Sequence, residues 1–252
     1  MRPIVIKIGT GVLTRDVDGL LDRAALAKLV TAVADLVCSG QPCVLVSSGA
    51  VGAGVAQLGL TDYPSDVPTR QACAAVGQTR LMHAYESLFS NFELSVAQLL
   101  LTADDFNQPD RLTRVEDTLG RLAQCPQIVP IINENDSVAV EELSVGDNDM
   151  LSARVAKLMG ASQLILLSNI DGLLMPQTNQ VIESVDCVDD VLKFVRADKG
   201  RFSIGGMASK LKAVSLAVDA GVETVIAHGK HPERLVEIAQ GRGLCTRFRV
   251  LS

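Results

Sequence analysis

Two lysines occur where a lysine is costly unless it meets an anion. Lys7 lies inside the first apolar run, residues 4–8, which has the composition of a buried strand. Lys210 ends a glycine-rich segment, Ser203-Ile-Gly-Gly-Met-Ala-Ser-Lys210, near the other end of the chain. Buried ammonium groups are rare unless they are paired, and glycines let backbone N–H groups approach a ligand closely. The two segments together predict a site that holds a phosphoryl group during its transfer.

A carboxylate between two such lysines would keep both ammonium groups charged and correctly oriented. Asp149, which directly precedes a helical pattern, is predicted to take this place without touching the substrate. The alternative is that the polar segment 146–149 only supplies the N-cap of the helix. The glycines of segment 9–11 follow the first apolar run, so they would either line a ligand site at the carboxyl end of that strand or form a tight turn.

Two polar segments are candidates for holding the acceptor of the phosphoryl group. Ser47 and Ser48 follow the second apolar run and open a helix, whose free N–H groups suit an anion, although a serine could also act only as the helix cap. Residues 133–136, Asn-Glu-Asn-Asp, follow another apolar run. Asp136 offers a carboxylate for a substrate ammonium and the amides suit other polar groups, whereas the alternative is an Asx-rich turn.

The segment Ser168-Asn-Ile-Asp-Gly172 follows the fifth apolar run and is either a loop on the nucleotide side or a plain turn. A dinucleotide fingerprint is excluded, because neither Gly9-x-Gly11 nor Gly52-x-Gly54 is completed by its third glycine. The spacing before Lys210 does not fit a Walker A loop either. These absences argue against an oxidoreductase and against a P-loop enzyme.

The elements that must position these residues alternate between strand and helix. Apolar runs typical of strands buried on both faces span residues 4–8, 43–46, 94–99, 128–132, 164–167 and 224–227. Helical periodicity covers residues 26–37, 70–89, 111–122, 151–158 and 207–218. This alternation predicts an α/β fold, a three-layer αβα sandwich with a mainly parallel central sheet. Two excursions are expected, a hairpin over the site at 138–145 and a turn within 173–182.

Composition sets outer limits on the function. The 252 residues, 48% of them hydrophobic, are expected to form one domain over residues 1–252 with a substantial core. The net charge of −6 argues against nucleic acid or an anionic membrane as the main partner. No apolar run reaches the roughly 20 residues of a membrane span, and no signal peptide is expected. The six cysteines lack metal-ligand spacing and are typical of reduced thiols in a cytoplasmic protein.

Several of these segments, in this order, resemble the amino acid kinase superfamily and, within it, the glutamate 5-kinases. The matching segments are I-K-I-G-T, V-S-S-G-A-V, I-N-E-N-D-S-V, V-G-D-N-D-M-L-S-A and G-G-M-A-S-K-L. The resemblance covers essentially the whole chain. Family members often carry a C-terminal domain called PUA, and this chain is similar to the form without it. Members also often carry Asp at the position of Asn169 and Thr at the position of Ile204.

The resemblance implies transfer of the γ-phosphoryl group of ATP to the side-chain carboxylate of L-glutamate, the first step of proline biosynthesis. It implies that Lys7 and Lys210 stabilise the transferring group and that Asp149 orients them. Glutamate would be held by Ser48, Asp136 and Asn148. Contacts to ATP would come from Lys7, Ser168, Asn169, Ile204, Gly205, Gly206, Met207, Ala208, Ser209 and Lys210. Mg²⁺ would bridge the phosphates, with no protein ligand assigned to it.

The resemblance also implies a homo-oligomer and transfer of the product to glutamyl phosphate reductase.

Two alternative functions stay open at this point. One is a sister kinase acting on aspartate or UMP, although residues 133–136 bring none of the extra cations that a uridylate acceptor would need. The other is a non-catalytic ligand-sensing homologue, against which the lysine pair and Asp149 argue.

Overall fold

The computed structural model describes residues 1–15, 20–138, 148–175, 178–197 and 206–250. The strands in these ranges are β1 (Ile4–Ile8), β2 (Cys43–Ser47), β3 (Ser95–Leu101), β4 (Ile128–Glu134), β5 (Gln163–Ser168), β6 (Ser184–Val185), β7 (Glu223–His228) and β8 (Thr246–Phe248). The helices are α1 (Thr10–Leu13), α2 (Arg23–Cys38), α3 (Ala50–Gln57), α4 (Val67–Phe89), α5 (Ala103–Asn107), α6 (Pro109–Leu122), α7 (Asn148–Leu158), α8 (Val188–Ala197), α9 (Gly206–Asp219) and α10 (Leu235–Ala239).

The strands form an eight-stranded sheet in the order β3-β4-β2-β1-β5-β7-β8-β6. All neighbouring strands pair in parallel except β7 and β8, which are antiparallel. Strand β1 lies between β2 and β5. The chain passes from β1 to β2 and β4 on one side and then crosses to β5 on the other, so the strand order reverses beside β1. A crevice outside the carboxyl ends of the strands at such a point is the usual ligand site of an open α/β sheet. The predicted mainly parallel αβα sandwich is confirmed.

The core has two layers, one on each side of the sheet. Side chains alternate along a strand, so β1 directs Ile4, Ile6 and Ile8 into the layer that contains α2 and α4. Val5, on the opposite face, belongs to the layer that contains α6, α7 and α9. Lys7 is two residues further along that second face, so its side chain also faces the layer of α7 and α9.

Helices α3 and α4 cross in backbone contact. A methyl group added to Gly77 would lie 1.8 Å from the carbonyl oxygen of Ala50, and one added to Gly54 would lie 1.9 Å from the carbonyl oxygen of Cys73. Only glycine fits at both positions. Helix α4 also carries an apolar face. Leu81 and Phe89 on this face are buried within the chain's own core.

The structure departs from the sequence-based expectations in two places. The prediction that residues 94–99 form a strand buried on both faces is wrong, because β3 pairs only with β4 in the described sheet and exposes Ser95, Gln98 and Leu100. The sequence did not predict the short strands β6 and β8 or helix α8. The expected turn within 173–182 is confirmed by an antiparallel bridge between Leu174 and Val181. The expected hairpin at 138–145 lies, apart from Val138, outside the described residues.

Among the described residues, no helix combines the length and the apolar character that crossing a membrane requires. All six cysteines are free, with Cys43, Cys73 and Cys245 buried and the others partly or fully exposed.

Candidate active site

One buried carboxylate joins the two lysines that the sequence singled out. The Nζ atom of Lys7 lies 2.6 Å from Oδ1 of Asp149, and the Nζ atom of Lys210 lies 2.6 Å from Oδ2. The side chains of Lys7, Lys210 and Asp149 are 6%, 14% and 1% exposed. Each carboxylate oxygen therefore serves one ammonium group, and residues 203 positions apart in the chain come together at one point.

Three elements of one core layer build this cluster, which we call the lysine–aspartate cluster (Lys7, Asp149, Lys210). Lys7 comes from the carboxyl-terminal half of β1, at the edge where ligands bind. Asp149 lies in the first turn of α7, where the helix dipole favours a negative charge. Lys210 is the fifth residue of α9, just beyond its first turn. Since the dipole effect falls off within the first turn, the dipole does not by itself call for an anion beside Lys210.

The charges of the cluster do not cancel. Burial alone would raise the pKa of Asp149, but attraction to the ammonium groups of Lys7 and Lys210, and their hydrogen bonds, outweigh it and hold the pKa below its usual value. Asp149 is therefore ionised at neutral pH. Two ammonium groups and one carboxylate give the cluster itself one net positive charge, and the carboxyl groups of Glu134 and Asp136 line a cleft beside Lys7.

A cleft of about 280 Å³ opens beside Lys7, and we call it the acceptor cleft. It is lined by Lys7, Thr10, Ser48, Gly49, Ala50, Val51, Gly52, Tyr63, Asn133, Glu134, Asp136 and Asn148. The structure thus brings the three predicted glutamate ligands, Ser48, Asp136 and Asn148, together with Lys7. Burial raises the pKa of Asp136, and the nearby Arg70 guanidinium partly opposes this increase.

A chain of side-chain amides runs beneath the acceptor cleft. Nδ2 of Asn148 donates hydrogen bonds to Oγ of Ser48 at 2.7 Å and to Oδ1 of Asn133 at 3.1 Å. Nδ2 of Asn133 in turn donates to Oε1 of Gln78 at 3.0 Å. Sequence analysis missed Gln78. The sequence held one indication that Gln78 is buried. It is a polar residue at helical spacing from the apolar residues Ala74 and Leu81, on the buried face of α4.

Two of the predicted nucleotide-binding residues, Ser168 and Asn169, lie on the side of β1 opposite β2. Ser168 ends β5, the neighbour of β1. A methyl group on Gly11 would lie 2.6 Å from Nδ2 of Asn169, so this amide packs against the backbone of α1. Gly206 begins α9, and the first turn of that helix also includes Met207, Ala208 and Ser209.

The other residues predicted to contact the nucleotide are only partly covered by the structure. The Met207 side chain is buried in the core layer with α7, which leaves its backbone for contact with a ligand. Ala208 and Ser209 are half-buried. Ile204 and Gly205 lie outside the described residues.

A larger groove of about 600 Å³ between α2 and α4 contains none of the predicted site residues.

Comparison with known proteins identifies the family of the chain. Residues 2–228 match the model of the amino acid kinase family. The glutamate 5-kinase of Clostridium acetobutylicum is 43% identical over 241 residues, which are 93% of this chain and 90% of that protein. The glutamate 5-kinase of Symbiobacterium thermophilum is 42% identical, with 98% and 95% covered. That of Moorella thermoacetica is 43% identical over 98% of this chain and 66% of its own length.

Solved structures share the fold at low sequence identity. Carbamate kinase from Giardia lamblia bound to AMP-PNP superimposes with a TM-score of 0.71 at 16% identity, covering 98% of both chains. UMP kinase from Ureaplasma parvum gives 0.67 at 12% identity, covering 99% of this chain and all of the other. These similarities establish the fold alone. The family model and the curated relatives go further, and by them the chain belongs to the amino acid kinase family and, within it, to the glutamate 5-kinases.

Proposed function

We propose that this protein transfers the γ-phosphoryl group of ATP to the side-chain carboxylate of L-glutamate, which forms L-glutamyl 5-phosphate, the first step of proline biosynthesis. The observation that carries the proposal is the lysine–aspartate cluster, which joins the acceptor cleft to α9 at 2.6 Å on both sides of Asp149. The substrate assignment is supported by relatives about 40% identical over nearly the whole chain, which are glutamate 5-kinases.

The chemistry requires little from the protein except position and charge. An ionised carboxylate is already a nucleophile, so no general base is needed. One of its oxygens bonds to the γ-phosphorus while the bond from that phosphorus to the bridging oxygen breaks, and ADP leaves with the electron pair. Charge on the transferring group is spread over its outer oxygens, and fixed cations stabilise it. We assign this role to Lys7 from the acceptor side and to Lys210 from the side of α9.

Asp149 acts through the lysines and not on the substrate. Both of its carboxylate oxygens already accept from an ammonium group. It therefore holds the two cations in place before the substrates arrive, so that little reorganisation is needed during the reaction. Because both carboxylate oxygens are already paired with ammonium groups, Asp149 is a poor ligand for Mg²⁺. We propose that Mg²⁺ accompanies ATP and is held mainly by phosphate oxygens and water, where it neutralises phosphate charge.

ATP is assigned to the carboxyl ends of the central strands β1 and β5 and to the start of α9. The support is the position of Ser168 at the end of β5, of Asn169 beside the α1 backbone, and of Lys210 about one turn from the beginning of α9. Residues 204–209 complete the assignment by resemblance to the family. The assembly is proposed as a cytoplasmic homo-oligomer that passes its product to glutamyl phosphate reductase. The exposed edge strand β3 is a surface suited to a subunit contact.

A coupled assay of ADP release with glutamate, aspartate and UMP as alternative acceptors tests the proposed function. We expect ADP release that depends on glutamate and is much slower with the other two. A preference for aspartate or UMP would identify a sister kinase instead. No acceptor-dependent release by folded protein would favour a non-catalytic homologue.

The KM for glutamate is expected to depend on pH through Asp136. Because burial raises the pKa of Asp136, the carboxylate takes up its proton at a pH above the usual value for aspartate as the pH falls. A neutral Asp136 cannot pair with the substrate ammonium, so KM should rise toward low pH while kcat changes less. Measuring KM from about pH 5 to about pH 7, where glutamate itself keeps its charges, checks this.

Asp136→Asn is the matched variant for this experiment. It should show a high KM at every pH and lose the pH step. A wild-type KM that is flat over this range would contradict the role given to Asp136. A step that persists in Asp136→Asn would assign the pH dependence to another group.

A further inference from the structure

Gln78 is a buried polar residue that the proposed chemistry does not use. Its side chain is 8% exposed, on the face of α4 that packs against the rest of the molecule. It follows Gly77, where α4 touches the backbone of α3. A buried amide is costly unless its hydrogen bonds are made. The bond that Gln78 makes is to Asn133, beneath the acceptor cleft.

A backbone group sets the orientation of the Asn133 amide. The N–H of Glu134 donates to Oδ1 of Asn133 at 2.9 Å. Since a backbone N–H can only donate, the atom that it contacts must be the amide oxygen. Nδ2 of Asn133 then points the other way, toward Gln78, and needs an acceptor there. Oε1 of Gln78, at 3.0 Å, is that acceptor.

Asn133 orients Asn148 together with the backbone oxygen of Ser47, which accepts from Nδ2 of Asn148 at 3.4 Å. Oδ1 of Asn133 can only accept, so the atom of Asn148 that approaches it at 3.1 Å must be Nδ2. The same Nδ2 donates to Oγ of Ser48. Oδ1 of Asn148 must then lie on the opposite side. This oxygen is buried and has no hydrogen-bond partner in the described part of the chain, and Asn148 lines the acceptor cleft.

We propose that Gln78 is a positioning residue for amino-acid recognition, which acts through Asn133 to turn the Asn148 oxygen toward the α-ammonium group of the acceptor. The inference rests on the proposed function, because it assumes that the acceptor is glutamate. Asn148 then supplies a hydrogen-bond acceptor beside the Asp136 carboxylate. Ser48, which accepts from Asn148, keeps its hydroxyl proton to donate to a substrate carboxylate.

Replacing Gln78 with methionine tests the proposal, because methionine keeps the length of the side chain and removes the amide. The buried Nδ2 of Asn133 loses its acceptor, and the Asn133 amide is then held by the Glu134 N–H without its second contact. The KM for glutamate should rise about tenfold or more, as expected when a buried donor is left unpaired, while kcat falls less than about threefold. Glutarate, which is glutamate without the α-amino group, should be affected little.

The decisive readout is the preference for glutamate over glutarate in kcat/KM. We expect Gln78→Met to lose most of the wild-type preference and Gln78→Glu, which keeps an accepting oxygen, to retain most of it. Gln57→Met, the same change at the exposed end of α3, should leave all constants unchanged. An unchanged preference in Gln78→Met, or equal losses for both substrates, would refute the positioning role.

A measurement on the unaltered protein covers the case in which Gln78→Met does not fold. The side-chain amide protons of Asn133 should exchange slowly with solvent, and glutamate but not glutarate should shift the amide resonances of Asn148. Fast exchange, or identical shifts with both ligands, would overturn the proposal. Failure of the proposed function itself would be seen separately, as absence of glutamate-dependent ADP release by the wild-type protein.

Discussion

Lys210→Ala should lower kcat by about 10²–10³-fold while the protein stays folded, the loss typical of removing one preorganised electrostatic donor. The side chain of Lys210 is 14% exposed and lies 2.6 Å from Asp149, so its ammonium group is held near the predicted path of the phosphoryl group before substrate binds. Lys7 still neutralises Asp149 in the variant, and the fold should therefore survive. Lys7→Ala should give a loss of similar size.

Steady-state kcat at saturating ATP and glutamate measures this effect, with circular dichroism and Tm to confirm folding. Lys212→Ala is the matched control, since Lys212 is an exposed lysine two residues further along the same helix. Its kcat should stay near that of the wild type. A Lys210→Ala variant with near-normal kcat would remove Lys210 from the chemistry.

Asp149→Asn is expected to affect activity and stability together. The substitution keeps the shape of the side chain and removes the charge that Lys7 and Lys210 share. Breaking a buried charge pair in this way costs about 3–5 kcal/mol of unfolding free energy. The ammonium groups would also lose their common anchor, so kcat should fall by about 10²-fold or more.

The stability loss should depend on pH with a definite sign. The pKa of Asp149 is lowered in the folded state. Its contribution is therefore fully present above the unfolded pKa of about 3.9 and is lost as the pH falls through the lower folded value. The difference between wild type and Asp149→Asn should be largest at neutral pH and shrink in strong acid. Urea unfolding at neutral and acidic pH measures it.

Asp110→Asn is the control for this second experiment. Asp110 also lies in the first turn of a helix, α6, but it is exposed, so only the small helix-dipole contribution should change. Equal stability of wild type and Asp149→Asn at neutral pH, or a difference that grows in acid, would contradict the charge arrangement described here.

The sequence predicted most of the sheet because strands buried on both faces must be almost continuously apolar. β1, β2, β4, β5 and β7 have this character, and they form the centre of the sheet. β3 has a similar composition but lies at the edge, and composition alone does not distinguish the two positions. β6 and β8 contain two and three residues, too few to show a periodicity.

The clearest sequence signals for the site come from residues that are out of place for their element. Lys7 inside an apolar strand and Lys210 after paired glycines are such residues, and the structure brings both to Asp149. Gln78 was missed because a single glutamine in a long helix is ordinary until its neighbours in space are known. Its bond to Asn133 joins positions 55 residues apart, and no local pattern encodes that contact.

The central claim is that the ammonium groups of Lys7 and Lys210 meet on one migrating phosphoryl group. A crystal structure of the protein with glutamate, ADP and a phosphoryl mimic such as aluminium fluoride tests it directly. We predict both Nζ atoms within about 3.2 Å of the mimic's outer ligands, the range of a hydrogen bond. Either Nζ atom beyond about 4 Å, the limit of an ion pair, would contradict the account.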